Sequence, residues 1–170
     1  MLAVTGLLLS FTAVAGAADT PDAWVTMKTK VSLMTTDGLS TSDLNVDTVK
    51  GIVTLHGKVA TDAEKTMAET VARGIDGAKD VKNLLQVVPA SRRAIVERAD
   101  DVVKKSVENA FAANRRLKKS GISVASVNKG VVLLNGTTPS WAAHLEAVEV
   151  ARAVSGVRRV STEVTVKPTT

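Results

Sequence analysis

Few side chains in this sequence can do covalent or acid–base chemistry. Its 170 residues include two histidines, no cysteine and no tyrosine. This removes a thiolate nucleophile, a Cys-ligated metal and a disulfide framework. His56 and His144 remain as possible general bases, and such a base needs a second polar group converging on it. None is identifiable for either: His56 falls out of phase with the apolar Val53 and Leu55, which places it towards solvent, and His144 reads as a helix-surface residue. Asp37, Asp43 and Asp47 lack the spacing and closing Glu of a calcium loop and read as a solvated turn. The stretch Arg73–Gly77 contains a GxxG pattern. Nucleic-acid clamps use such a pattern, but here it reads as a helix stop. No catalytic residue, metal, cofactor or nucleic-acid partner is implied.

Cations offer more. The net charge is +5, yet residues 1–90 hold 8 Lys and Arg against 10 Asp and Glu, whereas residues 91–170 hold 14 against 7. The surplus is clustered at Arg115, Arg116, Lys118 and Lys119, at Arg158 and Arg159, and at Arg92 and Arg93. A cation close to an anionic membrane contributes about 1 kcal/mol, and the effect fades within a Debye length. The expectation is docking on anionic phospholipid headgroups through Arg115, Arg116, Lys118, Lys119, Arg158 and Arg159. The competing reading is that these residues favour helix C-termini and keep the surface soluble. Strand order decides whether the two main clusters share a face.

The elements that position these residues come from an internal repeat. Sliding the chain by 79 residues lays Gly51–Pro89 on Gly130–Pro168 without a gap. The identical pairs include Gly51/Gly130, Val53/Val132, Leu55/Leu134, Gly57/Gly136, Ala72/Ala151 and Gly77/Gly156. Upstream of the glycine the register changes by one, read here as an extra turn residue in the second copy. In each copy an amphipathic helix comes first, marked by Trp24, Met27, Val31 and Met34 or by Val103, Val107 and Phe111, and ended by Gly38 or Gly121. A hairpin follows, with alternating apolar residues around Lys50-Gly51 and Lys129-Gly130. Thr61 with Glu64 forms a capping box for the next helix, Ser140 takes the same place in the second copy, and a last alternating strand closes each unit. The fold class is α+β: two tandem αββαβ units, residues 22–89 and 91–168, each a three-stranded mixed sheet covered on one face by two helices. Trp141, matched by Asp62, is expected to pack one copy against the other, the alternative being an interfacial membrane anchor.

Residues 1–18 carry no charge and form an apolar run ending in small residues. They read as a secretory signal cleaved near Ala17 or Ala18, although the usual positive n-region is missing. With no cysteine after the run, a lipid anchor at that point is excluded.

The hairpin segments Val49–Gly57 and Asn128–Gly136, with Gly77 or Gly156 before the last strand, resemble those of BON domains. The resemblance covers nearly the whole mature chain, and an export signal followed by two such units is similar to the osmotically induced periplasmic proteins of Gram-negative bacteria. It implies a periplasmic, envelope-associated, non-enzymatic module, with anionic phospholipid as candidate partner. The alternative it leaves is a chaperone-like or adaptor protein that contacts other envelope proteins through apolar surface between the repeats.

Overall fold

The computed structural model of the protein describes residues 20–167, so the expected leader and its cleavage point lie outside the described residues. Unit 1 comprises α1 (Asp22–Met34), β1 (Leu44–Val49), β2 (Ile52–Val59), α2 (Asp62–Arg73), β3 (Asp80–Asn83) and β4 (Gln86–Val87). Unit 2 comprises α3 (Arg93–Ala113), β5 (Gly121–Asn128), β6 (Val131–Thr138), α4 (Trp141–Ala153), β7 (Arg159–Thr162) and β8 (Thr165–Val166). In each sheet the central strand, β2 or β6, pairs antiparallel with the strand before it and parallel with the two short stretches after it. Those stretches are one edge strand, interrupted at matching points. Asn83 Oδ1 accepts from the Leu85 amide and Thr162 Oγ1 from the Val164 amide, each at 3.2 Å. Such side-chain bonds draw amides away from the ladder.

Each hairpin turns on two residues with positive φ, Lys50 (54°) and Gly51 (77°), or Lys129 (50°) and Gly130 (74°). That is the two-residue turn whose twist suits antiparallel strands. A left-handed lysine costs about 1 kcal/mol, and a carboxylate offsets it. Asp22 accepts from the Lys50 and Gly51 amides at 2.7 and 2.8 Å, and Asp100 from the Lys129 and Gly130 amides at 2.9 and 3.0 Å. Near the other end of the hairpins, Gly57 and Gly136 have φ of +121° and +113°. A Cβ there would lie 1.9 Å from the carbonyl oxygen of Asp43 or Gly121. Close approach of two backbones therefore explains why both copies keep this glycine.

Several expected boundaries shift. Gly121 does not end a helix: α3 stops at Ala113, and Gly121 is the first residue of β5. The extra residue of the second copy is not in the turn, which has two central residues in both units; the register jumps between Val124 and Ser126, so Ala125 is a β-bulge. The expected cap of α2 forms, with the Glu64 amide donating to Thr61 Oγ1, but the Glu64 carboxylate reaches one residue further back than a capping box, its Oε2 accepting from the Ala60 amide, both at 3.1 Å. On α3 the expected face is buried through Val103, Val107 and Phe111. On α1 the phase is reversed: Val25, Thr29 and Leu33 enter the core, while Trp24, Met27, Val31 and Met34 face outwards.

The helix-covered face of β2 supplies Val53, Leu55 and Val59 to one core, and that of β6 supplies Val132 and Leu134 to the other. The opposite faces meet each other. Thr54, His56 and Lys58 of β2 are buried, as are Val131 and Leu133 of β6, which belong to neither helix-covered core. The arrangement is four layers, helix–sheet–sheet–helix. Two further links cross the junction: Lys58 Nζ lies 3.4 Å from Asp100 Oδ2, with both side chains buried, and Arg93 pairs with Asp43. No flexible tether separates the units, because the 3₁₀ turn Ala90–Arg92 runs directly into α3. Replacing Gly136 by Ala is expected to cost about 3 kcal/mol through combined clash and left-handed strain. Urea denaturation of the variant against the parent measures it.

Candidate functional site

The residues read from sequence as lipid-binding divide into two groups at opposite ends of unit 2. Arg115, Arg116, Lys118 and Lys119 occupy the connection from α3 to Gly121, which pairs with Thr137 near the end of β6. Arg158 and Arg159 lie beside the β5–β6 turn, because Arg159 pairs with Val131 at the start of β6. Eight residues of strand separate the two ends by about 23 Å at ~3.3 Å per residue. All six side chains are exposed.

The four-cation cluster sits on a fixed support. Leu117, in its middle, is buried in the core of unit 2. Asn114 Oδ1 accepts from the Arg116 amide at 2.9 Å, the Lys118 amide donates to the Asn114 carbonyl at 3.1 Å, and the Ser120 amide to that of Leu117 at 3.0 Å. From α4, Glu146 accepts from Asn114 Nδ2 at 2.7 Å and from Arg116 Nη1 at 3.2 Å. The Asn114 amide and the Arg116 guanidinium hold the Glu146 carboxyl below its usual range. Of the four cations, only Arg116 makes an ion pair among the described residues. Arg115, Lys118 and Lys119 keep their charge open to an incoming anion.

His144 lies on α4 as the sequence pattern placed it, half-buried, whereas His56 does not face solvent. His56 is buried at the junction of the units, and its Nε2 lies 2.9 Å from Asp47 Oδ2. The His56 ring holds the Asp47 carboxyl below its ordinary value against the opposing effect of burial. Glu163, from the connection between β7 and β8, reaches the same cluster. Burial pushes its carboxyl up and the Asp47 charge adds to this, while Thr54, His56 and Lys82 pull the other way. Asp43 and Asp47 are thus bonded to Arg93 and His56 rather than forming a solvated turn. His144 Nε2 lies 2.9 Å from Thr162 Oγ1, and its ring stacks on Trp141 with centroids 5.8 Å apart. Trp141 does not pack between the copies; it is 71% exposed on α4. The apolar surface between the repeats, expected as a partner site, is occupied by the junction itself. Sequence reasoning missed the Asp22 and Asp100 clamps, although these residues are spaced 78 apart, the offset of the repeat upstream of the turns.

Paired αββαβ units joined through their open sheet faces, with cations displayed on fixed connections, define a tandem module of repeated small domains. The chain belongs to the BON-domain family, whose model matches residues 21–89 and 99–168. It is 31% identical over 147 residues to Osmotically-inducible protein Y of Escherichia coli (strain K12), covering 86% of this chain and 73% of that protein. It is 31% identical over 117 residues to Outer membrane lipoprotein DolP of Haemophilus influenzae, covering 69% of this chain and 59% of that protein. Among solved structures it is similar to the C-terminal domain of CdsD, the structural protein of the Type III secretion system of Chlamydia trachomatis. That likeness has 15% identity and a TM-score of 0.32 over 82% of this chain and 63% of that one.

The junction carboxylates titrate in opposite senses. Glu163, with its folded value raised, contributes stability that is present below the ordinary carboxylate range and lost as pH rises through the raised value. Asp47, with its value lowered, contributes stability above that range and loses it as pH falls. Glu163→Gln is therefore expected to raise the urea midpoint at pH 7, with the gain gone by pH 4. Paired denaturation curves at the two pH values check this.

Proposed function

We propose that this chain is a non-enzymatic envelope protein of the periplasm that docks on anionic phospholipid through unit 2. The observation that carries the reading is the presentation of Arg115, Lys118 and Lys119 around the buried Leu117, exposed and without carboxylate partners among the described residues. The fixed backbone spares the ordering of the connection on contact, so only the side chains of the cations lose freedom there. Arg158 and Arg159, at the other end of β6, do not contact the same flat surface when the four-cation end is engaged. They serve solubility in this reading. The two similar proteins support an envelope setting and a role under osmotic stress, one being named for osmotic induction and the other for the outer membrane. Both histidines are tied to structural partners, which agrees with a binding role without turnover.

Co-sedimentation of the mature chain with phosphatidylglycerol-containing vesicles, against pure phosphatidylcholine, tests this. Binding to the anionic vesicles is expected to weaken with salt. Removing two cations in Arg115→Ala plus Lys118→Ala is expected to reduce it about thirtyfold. Equal retention on neutral vesicles overturns the headgroup reading. Binding to neither favours the adaptor alternative, for which the outward stripe Trp24, Met27, Val31 and Met34 on α1 speaks.

A further inference from the structure

The exposed apolar residues of α4 have no role in the fold described above. Trp141 is 71% exposed and Leu145 61%, one helical turn apart, with the half-buried Val148 continuing the stripe. Large apolar side chains left on a surface at helical spacing mark a contact. Their position along the unit is informative. Trp141 opens α4 three residues after β6 ends, at the end where Gly121 pairs with Thr137 and where the four-cation connection enters the sheet. The 3₁₀ turn Leu117–Lys119 packs against α4, and Arg116 and Asn114 both reach Glu146, the residue after Leu145. One end of unit 2 thus carries cations without an ion pair among the described residues, and the same end of α4 exposes an indole and a leucine.

We propose that this end is a membrane-insertion edge: Arg115, Lys118 and Lys119 engage the phosphates of a bilayer while Trp141 and Leu145 enter the boundary between headgroups and acyl chains. The proposal rests on the headgroup reading above and adds to it an inserted apolar element and a fixed orientation. The occupant is a lipid surface rather than a soluble anion because a layer of anions over hydrocarbon answers both the cations and the large apolar side chains at this end. An indole suits that boundary, its ring being apolar and its N–H able to bond. The stack on His144 holds the indole against α4, so little side-chain freedom is lost on entry. Trp24, the other tryptophan, lies on α1 in the helix layer on the far side of both sheets, and its neighbours Ala23 and Thr26 line a pocket with Asn135, Gly136 and Thr137 at the same end of the molecule.

The two tryptophans make the test direct. In Trp24→Phe the fluorescence comes from Trp141; in Trp141→Phe it comes from Trp24. Each variant is mixed with phosphatidylglycerol–phosphatidylcholine vesicles, with and without brominated acyl chains, while co-sedimentation is measured in parallel. The expected result is a blue shift and bromine quenching of Trp141 that exceed those of the less exposed Trp24. Leu145→Asp is expected to lower the partition coefficient roughly tenfold, the scale of withdrawing one apolar side chain from hydrocarbon. Arg158→Ala plus Arg159→Ala is expected to leave it within about twofold. Sedimentation with the vesicles but no quenching of Trp141 overturns insertion and leaves headgroup docking standing. Quenching of Trp24 instead overturns the orientation. Failure to sediment overturns both readings. Circular dichroism of each variant confirms that the fold is retained, as expected for substitutions at exposed positions.

Discussion

The carboxylate of Asp100 carries three obligations at once. It receives two amides of the β5–β6 turn, where the backbone takes a left-handed path that lysine does not favour, and it faces the buried Lys58 ammonium of the other unit. A buried charge is tolerated only when it is paired and its lone pairs are filled. Both conditions are met here by a single side chain. Asp22 serves unit 1 in the same way for its turn, with no lysine across a junction to hold. The duplication thus kept the clamp, and in one copy extended it into the link between halves.

Seen from sequence, the repeat, the order of elements and the class of fold were legible because two copies had to keep the same steric necessities. Gly57 and Gly136 face a carbonyl oxygen at a distance no Cβ tolerates. The phase of α1 was not legible, because that helix is apolar on two sides and its larger residues point outwards. Comparison with α3 could have settled it: Val25, Thr29 and Leu33 fall on the buried Val103, Val107 and Phe111 at an offset of 78. The burial of His56 was not legible for another reason. Alternation shows which residues share a face of a strand, but not whether that face meets water or a second sheet.

The cationic residues were legible as clusters and illegible as surfaces. Their exposure and the pairing of Arg116 with Glu146 depend on where α4 lies, and the separation of Arg158 and Arg159 from the others depends on β6 being the central strand. The cations of unit 2 consequently gather at both ends of the strand axis. Trp141, offered by sequence as packing between copies, lies instead at the end with more cations.

The meeting of the two open sheet faces has a consequence for how this molecule exists at all. Cut free of its sibling, unit 2 would bare Val131 and Leu133 to solvent, and unit 1 would strand an imidazole and an ammonium that had lost their shelter. Severed halves would therefore be sticky and unstable, and melting would engulf both together.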